Sequence, residues 1–210
     1  ADSNFQLAPF DKIFRAQANQ EEIFTFANMM EESSINLSGS FYYTRESSVG
    51  GSYTYAPTQD AMDMFVPNDD RTSCSVDMQG TNNVVNKYCS GEAGRDPIYI
   101  ARLAEMYLIS AECNGLSKGG LNRLNELRSF RGLPTVSPAT EEAFQDAVLN
   151  ERRLELFGEG FRWFDLVRTG KLESTVGLDR KYTKFPIPTR DLKLNGLLRQ
   201  NPLWETGEEK

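Results

Sequence analysis

The sequence predicts a mainly α-helical fold, in which helical hairpins of the tetratricopeptide-like kind follow a long segment rich in loops. Two observations predict the helices: apolar residues recur at helical spacing after Pro97, and short joints containing glycine separate the helical stretches. A third observation predicts the loops, because residues 31–97 are rich in Ser, Gly, Asn, Thr and Asp and have few periodic apolar positions. With 210 residues, the chain has room for one domain or two small ones.

The first elements are expected before the helices. In residues 19–30, apolar side chains form a broad stripe behind two acids, which fits either a short helix or a strand. Further along, FYYT at residues 41–44 and SYTYA at residues 52–56 flank a turn that contains glycine. These two segments predict a β-hairpin inside the loop-rich region.

Two helices after Pro97 are predicted to form an antiparallel hairpin. The first ends at Asn114-Gly115 and has one apolar face. The residues of that face are Ile100, Leu103, Ala104, Tyr107, Leu108 and Ala111. The second helix ends at Gly132 and Pro134, and the short SKGG joint before it makes the two helices neighbours.

Two more helices and an extended tail complete the prediction. Thr140 begins the third helix, which reaches about Phe157. A short fourth helix starts near Glu159 or Phe161 and ends before Gly170. The FPIP and QNP motifs that follow predict an extended tail, because proline disfavours helix at its own position and at the one before it.

These changes in composition divide the chain into three parts of one domain. Residues 1–97 form a loop-rich segment that carries candidate ligand-binding aromatics, residues 98–170 form a helical core, and residues 171–210 form an extended segment. A structureless connection as long as residues 31–97 is normally either functional or disordered.

Charge and composition exclude several classes of function. Thirty acidic against 23 basic residues give a net charge of -7, which disfavours binding to a nucleic-acid backbone. The chain contains no histidine, so Ser-His-Asp and Cys-His catalysis and His-ligated zinc are excluded. No apolar run approaches the roughly 20 residues that span a bilayer, and the first residues lack the features of a signal peptide. We therefore expect a soluble chain, already processed or excised, that binds no nucleic acid.

The three cysteines predict neither a zinc ribbon nor a complete disulfide framework, because they form no C-x-x-C pair and make an odd count. Cys113 ends a helical pattern and is expected to be a small buried hydrophobic residue. Cys74 and Cys89 lie in a polar stretch and are the one pair open to bridging, which residue types do not decide. The aspartates of residues 60–70 are acidic enough for calcium but lack the spacing of an EF-hand loop.

The densest charged stretch is residues 151–168. Its Glu155 and Glu159 lie four residues apart, a spacing at which two carboxylates are able to serve as acid and base of a glycosidase. Arginines interleave with these acids, so we expect opposite charges three and four residues apart to pair and to keep the carboxylates ionised. A structural role is therefore preferred to catalysis. Trp163 and Phe164 are likewise expected to be core residues between charged neighbours.

Tyrosines are concentrated in one polar segment, beside Phe41 and Arg45, where no helical or strand core claims them. These tyrosines are Tyr42, Tyr43, Tyr53 and Tyr55. Aromatic faces on a loop suit stacking against the C–H face of a sugar ring. The alternative is that the aromatic residues only pin the loop onto the helices, and the residue types do not choose between the two.

A series of motifs, in order along the chain, resembles the C-terminal half of the SusD/RagB family. The motifs are IARLAEMYLISAE from Ile100, LNRLNELRSFRGLP from Leu121, ERRLELFGEGFRWFDLVRTGK from Glu151, and then FPIP and QNP. EEIF near the start, Asp70-Arg71 and Lys87-Tyr88 also fit the order of the family. The resemblance covers the chain from about Glu21 to Leu203.

The resemblance implies a mostly helical fold of tetratricopeptide-like pairs with a loop-rich region packed against them. Members are surface lipoproteins of Bacteroidota that capture nutrients for a TonB-dependent transporter of the SusC type. Loop aromatics and a few polar side chains hold the ligand, commonly a glycan and in some members a peptide, and the family implies no catalysis. We expect neither a metal nor a cofactor.

The resemblance assigns residues to two roles. The expected ligand-binding residues, placed by region and not matched one by one to a family motif, are Phe41, Tyr42, Tyr43, Arg45, Tyr53 and Tyr55. The motif residues with an expected structural role are Arg102, Glu105, Glu112, Glu151, Arg152, Arg153, Glu159, Arg162, Trp163, Asp165 and Arg168.

Members of the family are typically much longer and begin with a lipidated cysteine and an N-terminal half. We therefore expect one SusD-like domain whose other half is either part of a longer chain or a separate polypeptide, and which carries the anchor to the outer membrane. A helix pair that lacks its neighbour would expose an apolar stripe, which predicts an oligomer or a non-covalent partner there. An alternative function is a purely structural segment that packs against a transporter or the other half and contacts no ligand.

Overall fold

The structure, a computed structural model, describes residues 4–15, 19–26, 37–41, 44–45, 49–50, 52–88 and 96–205. At residues 44–45 and 49–50 it describes the backbone alone. The chain divides into two compact units, Ala1–Gly160 and Phe161–Lys210. The fold is mainly α-helical, which confirms the predicted fold class.

Short elements form the N-terminal part of the first unit. The helices are α1 (Phe10–Ile13), α2 (Leu37–Phe41), α3 (Gln59–Asp63) and α4 (Thr72–Ser75). The strands are β1 (Glu22–Phe26), β2 (Thr44–Arg45), β3 (Val49–Gly50), β4 (Val76–Gln79), β5 (Asn82–Val85) and β6 (Ile98–Arg102). The strands pair antiparallel, β1 with β6, β2 with β3 and β4 with β5.

The β1–β6 pair answers one question that the sequence left open and corrects one prediction. The stripe after Asn19 forms a strand, with Phe24 opposite Ala101 and Phe26 opposite Ile98. Its partner strand contains Ile100, which the apolar periodicity assigns to the following helix. That assignment is wrong because residues 98–102 take their backbone hydrogen bonds from β1, and the helix begins at Leu103.

The helical core of the first unit consists of α5 (Leu103–Asn114), α6 (Gly120–Phe130) and α7 (Glu141–Glu155). Helix α5 packs against both α6 and α7, so the predicted hairpin of the first two helices is confirmed. Apolar side chains from all three helices are buried together, because each helix turns one apolar stripe toward the other two. The core residues are Ala104, Leu108, Ala111, Leu124, Leu127, Phe144 and Val148.

Two glycines make the tight joint between α5 and α6. Gly115 ends α5 with a φ of 66°, a left-handed conformation that favours glycine. At Gly120 a side chain would strike the backbone carbonyl oxygens of Ala111 and Gly115. Only a residue without a Cβ allows the start of α6 to approach the end of α5 so closely.

Local signals place the start of α7 where the sequence predicts it. The Thr140 hydroxyl accepts a hydrogen bond from the Ala143 backbone N–H at 3.1 Å, which satisfies one of the free donors of the first turn. Glu141 and Glu142 follow in that turn, where negative charge interacts favourably with the helix dipole.

A second apolar cluster lies under the short elements of the first unit. Phe10, Ile13 and Phe14, from α1 and the turn after it, are buried against Tyr88. The Phe14 ring meets the Tyr88 ring edge to face, with 6.2 Å between centroids. This cluster ties α1 to the segment that follows β5.

The second unit has less regular structure. Its elements are α8 (Arg162–Arg168), α9 (Leu172–Val176), a 3-10 helix at Arg180–Thr183, α10 (Thr189–Leu194) and a 3-10 helix at Pro202–Trp204. The short fourth helix that the sequence predicts is α8. The prediction of an extended tail is wrong on either side of FPIP, where the residues form short helical turns, because the prolines exclude helix only at FPIP itself.

Two residues predicted to be buried are exposed. Cys113 is exposed because it lies nine residues after Ala104, on the face of α5 opposite the buried stripe. Phe164 is 68% exposed, and the buried residues of α8 are its neighbours Asp165 and Leu166. The apolar character of these side chains did not determine which face of the helix they occupy.

No helix within the described parts of the chain combines the length and the apolar character that crossing a membrane requires.

Candidate functional site

The candidate ligand residues lie near a loop that is fixed to α2 by backbone hydrogen bonds. The Ser52 N–H donates to the Gly39 carbonyl oxygen at 2.7 Å, and the Tyr55 N–H donates to the Ser40 carbonyl oxygen at 3.1 Å. The Asn83 amide group donates to the Pro57 carbonyl oxygen at 3.3 Å and holds the far end of the loop. Residues 52–57 therefore form a positioned platform on the first unit.

Tyr53 anchors this platform and is held in an unusual conformation. Its φ is 45°, and among the described residues it is the one residue other than glycine with a positive φ. A tyrosine in this region is strained, and such strain is kept where surrounding contacts impose it, often at functional sites. The Tyr53 hydroxyl donates a hydrogen bond of 2.8 Å to the carbonyl oxygen of Asn83 in β5. Its polar end is thus occupied within the protein.

Tyr55 presents the open aromatic surface of the platform. Its side chain is 62% exposed, and its ring lies 6.0 Å from the Phe41 ring at 46°. Phe41 in turn stacks on the buried Tyr88, with 5.4 Å between centroids and 22° between planes. Phe41 therefore supports Tyr55 from the apolar cluster and contributes part of its own ring to the surface.

The other predicted ligand residues are located less completely. Tyr42 and Tyr43 lie outside the described residues. Arg45 lies in β2, paired with Val49, and its side chain is not described. The predicted hairpin of residues 41–44 with residues 52–56 is wrong. Among the described residues, Thr44–Arg45 pairs with Val49–Gly50, which the sequence assigns to the turn, because residue 41 ends α2 and residues 52–56 form no strand.

A second exposed aromatic pair was not identified from the sequence as a candidate. Phe24 and Phe26 of β1 are 52% and 56% exposed, with ring centroids 5.4 Å apart. Alternation along a strand places both rings on one face. This alternation was the available signal, but the same residues also fitted a helix.

Charged residues from several of the motifs form a buried network. Within the described residues, five cations and five carboxylates join through ion pairs, most of them with little or no exposure. The cations are Arg71, Lys87, Arg102, Arg128 and Arg131, and the carboxylates are those of Glu21, Asp69, Glu151, Glu155 and Glu159. We call this set the buried ion network.

Glu155 is the centre of the buried ion network. Its Oε1 accepts hydrogen bonds from Arg102 at 2.6 Å and Arg131 at 2.9 Å. Its Oε2 accepts hydrogen bonds from Arg71 at 2.9 Å and Arg131 at 3.2 Å. Three arginines therefore occupy both oxygens of one carboxylate that has no exposed surface.

Glu159 extends the network to Lys87. Its Oε1 accepts hydrogen bonds from Lys87 and from Arg102, both at 2.8 Å, and its Oε2 accepts one from Arg102 at 3.0 Å. The Lys87 ammonium group also lies 4.7 Å from the centroid of the Phe14 ring, where the ring face attracts a cation.

Burial and charge oppose each other in this network. Burial by itself raises the pKa of Glu155, but the charges of Arg131, Arg102 and Arg71 hold the pKa well below its ordinary value. Burial also raises the pKa of Glu159, and Arg102 and Lys87 reverse the direction. Burial lowers the pKa of Lys87 to about 8, despite the opposing charge of Glu159. Both glutamates are thus held ionised at neutral pH.

This geometry removes the basis of the glycosidase hypothesis for Glu155 and Glu159. Neither carboxylate faces solvent, every oxygen accepts hydrogen bonds from cations, and both pKa values are lowered, whereas a general acid needs a raised pKa. The expected pairing of these acids with neighbouring arginines is wrong. Their partners come from distant segments, whereas Arg168 pairs with Asp165, three residues away, at 2.8 Å, as the helical spacing predicts.

The remaining motif residues have varied surroundings. The Arg152 guanidinium lies 3.9 Å from the Glu105 carboxylate, both mostly buried. Arg162 and Trp163 lie in α8 of the second unit. No cluster of potential metal ligands occurs in the part of the chain that the structure describes.

Most residues of the buried ion network lie in motifs that the sequence analysis identified, but their pairing with one another was not predicted. Glu21, Arg71 and Lys87 stood in the short motifs EEIF, Asp70-Arg71 and Lys87-Tyr88, which supported the family resemblance without an assigned role. Arg131, between Phe130 and Gly132, had no predicted role. A charged residue inside each family-like motif was the available signal that these motifs meet in space.

Comparison with known proteins identifies the family to which the chain is similar. The sequence model of the SusD family matches residues 78–184. A SusD-like protein, P38, of Formosa agariphila is 35% identical over an alignment of 120 residues, and the match covers 50% of this chain and 24% of P38. P25 of the same organism is 29% identical over 127 residues, with 51% of this chain and 24% of P25 covered. The matched region thus spans about a quarter of these curated relatives.

Solved structures share the fold over almost the whole chain. A laminarin-binding SusD-like protein superposes with a TM-score of 0.77 at 23% identity, covering 96% of this chain and 54% of the other. Surface glycan-binding protein A from Bacteroides thetaiotaomicron, in complex with laminarihexaose, gives a TM-score of 0.76 at 19% identity, covering 96% and 56%. The chain therefore has the fold of about half of each of these proteins.

Proposed function

The chain belongs to the SusD family, and we propose that it is a non-catalytic, carbohydrate-binding part of a nutrient-uptake protein. The observation that carries this proposal is the pinned platform with its exposed Tyr55 ring on a fold shared with glycan-binding proteins. A flat, fixed aromatic ring offers apolar area to the C–H face of a sugar at little cost in side-chain entropy. Laminarin is the first glycan to test, because one protein of this fold is laminarin-binding and another is in complex with laminarihexaose.

The same proposal extends to the setting of the protein. By family analogy it works at the outer-membrane surface, held by a lipid anchor, with a SusC-like TonB-dependent transporter. The buried ion network is the scaffold of this function and takes no part in chemistry. A peptide ligand, as in RagB-like members, is the alternative cargo.

Tyr55→Ala tests the platform. Loss of one stacked ring is expected to weaken binding to laminarin by about 1 kcal/mol, roughly fivefold. Retardation in native gels containing laminarin measures the affinity. Phe164→Ala is the matched control, because Phe164 is also an exposed aromatic residue but lies in the second unit. Equal retardation of wild type and Tyr55→Ala would remove Tyr55 from the site, and absence of any polysaccharide binding by the wild type would overturn the proposed function.

One observation favours the alternative of an interaction segment. Helix α5 has a second apolar face, opposite its buried stripe, formed by Met106, Ile109 and Cys113 at helical spacing. Ile109 is 40% exposed there, as expected where a helical stack lacks its next neighbour. Sedimentation equilibrium of the chain tests this role, because concentration-dependent association that Ile109→Glu abolishes supports it and a monomer at high concentration contradicts it.

A further inference from the structure

Charge is distributed unevenly between the two units. Residues 1–160 contain 13 basic and 23 acidic residues, whereas residues 161–210 contain 10 basic and 7 acidic residues. The contrast is sharpest in residues 180–199, which contain six basic residues and one acid, Asp191. An acidic protein thus has one strongly cationic segment.

Within this segment, cations and aromatic rings lie together. The Tyr182 and Trp204 rings meet edge to face, with 5.4 Å between centroids. The Lys181 ammonium group lies 5.2 Å from both centroids. Phe185, three residues further along than Tyr182, is 77% exposed. We call Lys181, Tyr182, Lys184, Phe185 and Trp204 the basic aromatic patch.

Hydrogen bonds fix the backbone and the indole ring of this patch. The Trp204 indole N–H donates to the carbonyl oxygens of Lys181 at 3.0 Å and of Lys184 at 2.8 Å. The Asn201 side chain donates to the Phe185 carbonyl oxygen. The Asp179 carboxylate accepts a hydrogen bond of 2.7 Å from the Lys181 N–H. Segments 179–185 and 201–204 therefore hold each other, and the Trp204 indole, with the Tyr182 ring against it, has a defined position before any ligand arrives.

The cations of the patch are available for an anion. Among the residues that the structure describes, neither the Lys181 nor the Lys184 ammonium group pairs with a carboxylate. Lys184 is exposed, and its described hydrogen bonds to the patch are made by its backbone. An ammonium group beside an exposed ring places a positive charge next to a flat apolar surface, which matches a sugar ring bearing a carboxylate or a sulfate.

We propose that the basic aromatic patch binds the acidic sugar units of an anionic polysaccharide, with a sugar face on the exposed Phe185 ring and acid groups on Lys181 and Lys184. This inference rests on the proposed carbohydrate-binding function and specifies its ligand as carboxylated or sulfated. It places a contact surface in the second unit, distinct from the Tyr55 platform of the first. An anionic bilayer would use the protruding Phe185 ring, which is 77% exposed, as its apolar anchor, and binding to vesicles in the test below separates that partner from a sugar.

Charge reversal at the patch tests the proposal. We expect wild-type protein to be retarded in native gels that contain polygalacturonate or dextran sulfate and to pass freely through gels with neutral dextran. The polymer that retards it distinguishes a carboxylate from a sulfate ligand. In Lys181→Glu/Lys184→Glu the affinity for that polymer falls by about tenfold or more.

Arg190→Glu/Lys193→Glu is the matched control, because it makes the same change in net charge on α10, outside the patch. We expect it to lose less than about threefold, through long-range attraction alone. If the double variant misfolds, Lys184→Glu alone is tested instead, since the Lys184 side chain makes no described contact. Tryptophan fluorescence checks that each variant is folded. An equal loss in the patch and control variants overturns the proposal, because it shows only a response to net charge.

Three further results have a defined meaning. Wild-type protein that binds laminarin but neither acidic polymer overturns the patch and leaves the proposed function intact. Binding to the acidic polymers alone, lost in the patch variants, supports the patch and contradicts a laminarin site at Tyr55. Binding to phosphatidylglycerol vesicles without binding to either acidic polymer overturns the inference in favour of a membrane surface.

Discussion

Replacing Glu155 by Gln removes one negative charge from the centre of the buried ion network and keeps nearly the same shape. The carboxylate accepts hydrogen bonds from Arg71, Arg102 and Arg131, none of which is exposed by more than about 1%. The amide that replaces it has one acceptor oxygen, and its NH₂ group faces guanidinium donors. One cation of the network is then left without a counter-charge.

The size of the loss follows from burial. Breaking a buried ion pair by removing one partner costs about 3–5 kcal/mol, because the remaining charge stays desolvated. For a chain of this length each kcal/mol corresponds to about 2–4 °C in Tm, so the expected fall is roughly 6–20 °C. Glu126→Gln is the control, because Glu126 pairs with Arg123 at 3.1 Å while both side chains are 51% exposed. Such a surface pair contributes below about 1 kcal/mol.

The positions of the tryptophans allow the two units to be followed separately. Trp163 and Trp204, the two tryptophans of the chain, both lie in the second unit, whereas α5, α6 and α7 of the first unit supply most of the helix signal. Urea unfolding monitored by circular dichroism should therefore shift strongly in Glu155→Gln. Tryptophan fluorescence in the same titration reports on the second unit.

A free energy of unfolding of Glu155→Gln, measured by circular dichroism, that differs from wild type by less than about 1 kcal/mol, the range of a surface pair, would contradict this expectation. Such a result would mean that water or a rearrangement of the arginines compensates the lost charge. A large loss in Glu126→Gln would contradict it equally, because exposed and buried acids would then have the same effect.

Three further predictions concern other residues of the first unit. Burial lowers the pKa of Lys87 from 10.5 to about 8. Between these pH values the unfolded chain binds more protons than the folded one, so the free energy of unfolding rises with pH. Urea titrations at about pH 8 and about pH 10 should show this rise in wild type and not in Lys87→Met. Gly120→Ala places a Cβ against two backbone carbonyls and should destabilise the protein by about 1–3 kcal/mol, whereas Gly80→Ala, with open space around its Cβ, should show only the cost of its positive φ. Cys113 is exposed and Cys74 is buried, so a thiol reagent should label Cys113 rapidly in the native protein and Cys74 only on unfolding; rapid native labelling in Cys113→Ser/Cys89→Ser would contradict the burial of Cys74.

Local patterns predicted the helical core well, because its signals lie within a few residues of each other. The apolar spacing of Leu108 and Ala111, the capping group of Thr140 and the glycine at position 115 each act on the helix that contains them. Ile100 is a residue for which local spacing predicted the wrong element. Its spacing fits the helix, but pairing with β1, some 75 residues earlier in the sequence, makes it part of a strand.

The buried ion network could not be predicted from spacing. The rule for helix neighbours pairs Glu155 with arginines three or four residues away, whereas its partners are Arg71, Arg102 and Arg131. The spacing rule for exposed helix neighbours does not apply to these groups, because a buried carboxylate pairs with the cations that the tertiary fold places beside it. The aromatic platform was predicted as a region, and its ligand contacts stay a prediction, with Tyr55 the exposed ring and Tyr53 the anchor.

The long chain separation inside the buried ion network has a consequence for how the first unit folds. Arg131 bonds to Ala8, 123 residues away, and to Glu21, 110 residues away. Closing loops of this size costs entropy before any bond is gained, and contacts of this range slow folding. An intermediate with only α5, α6 and α7 assembled would hold Glu151 and Glu155 without Arg71. Docking of the N-terminal segments therefore completes the buried ion network and stabilises the first unit. This favours an all-or-none folding transition over gradual assembly.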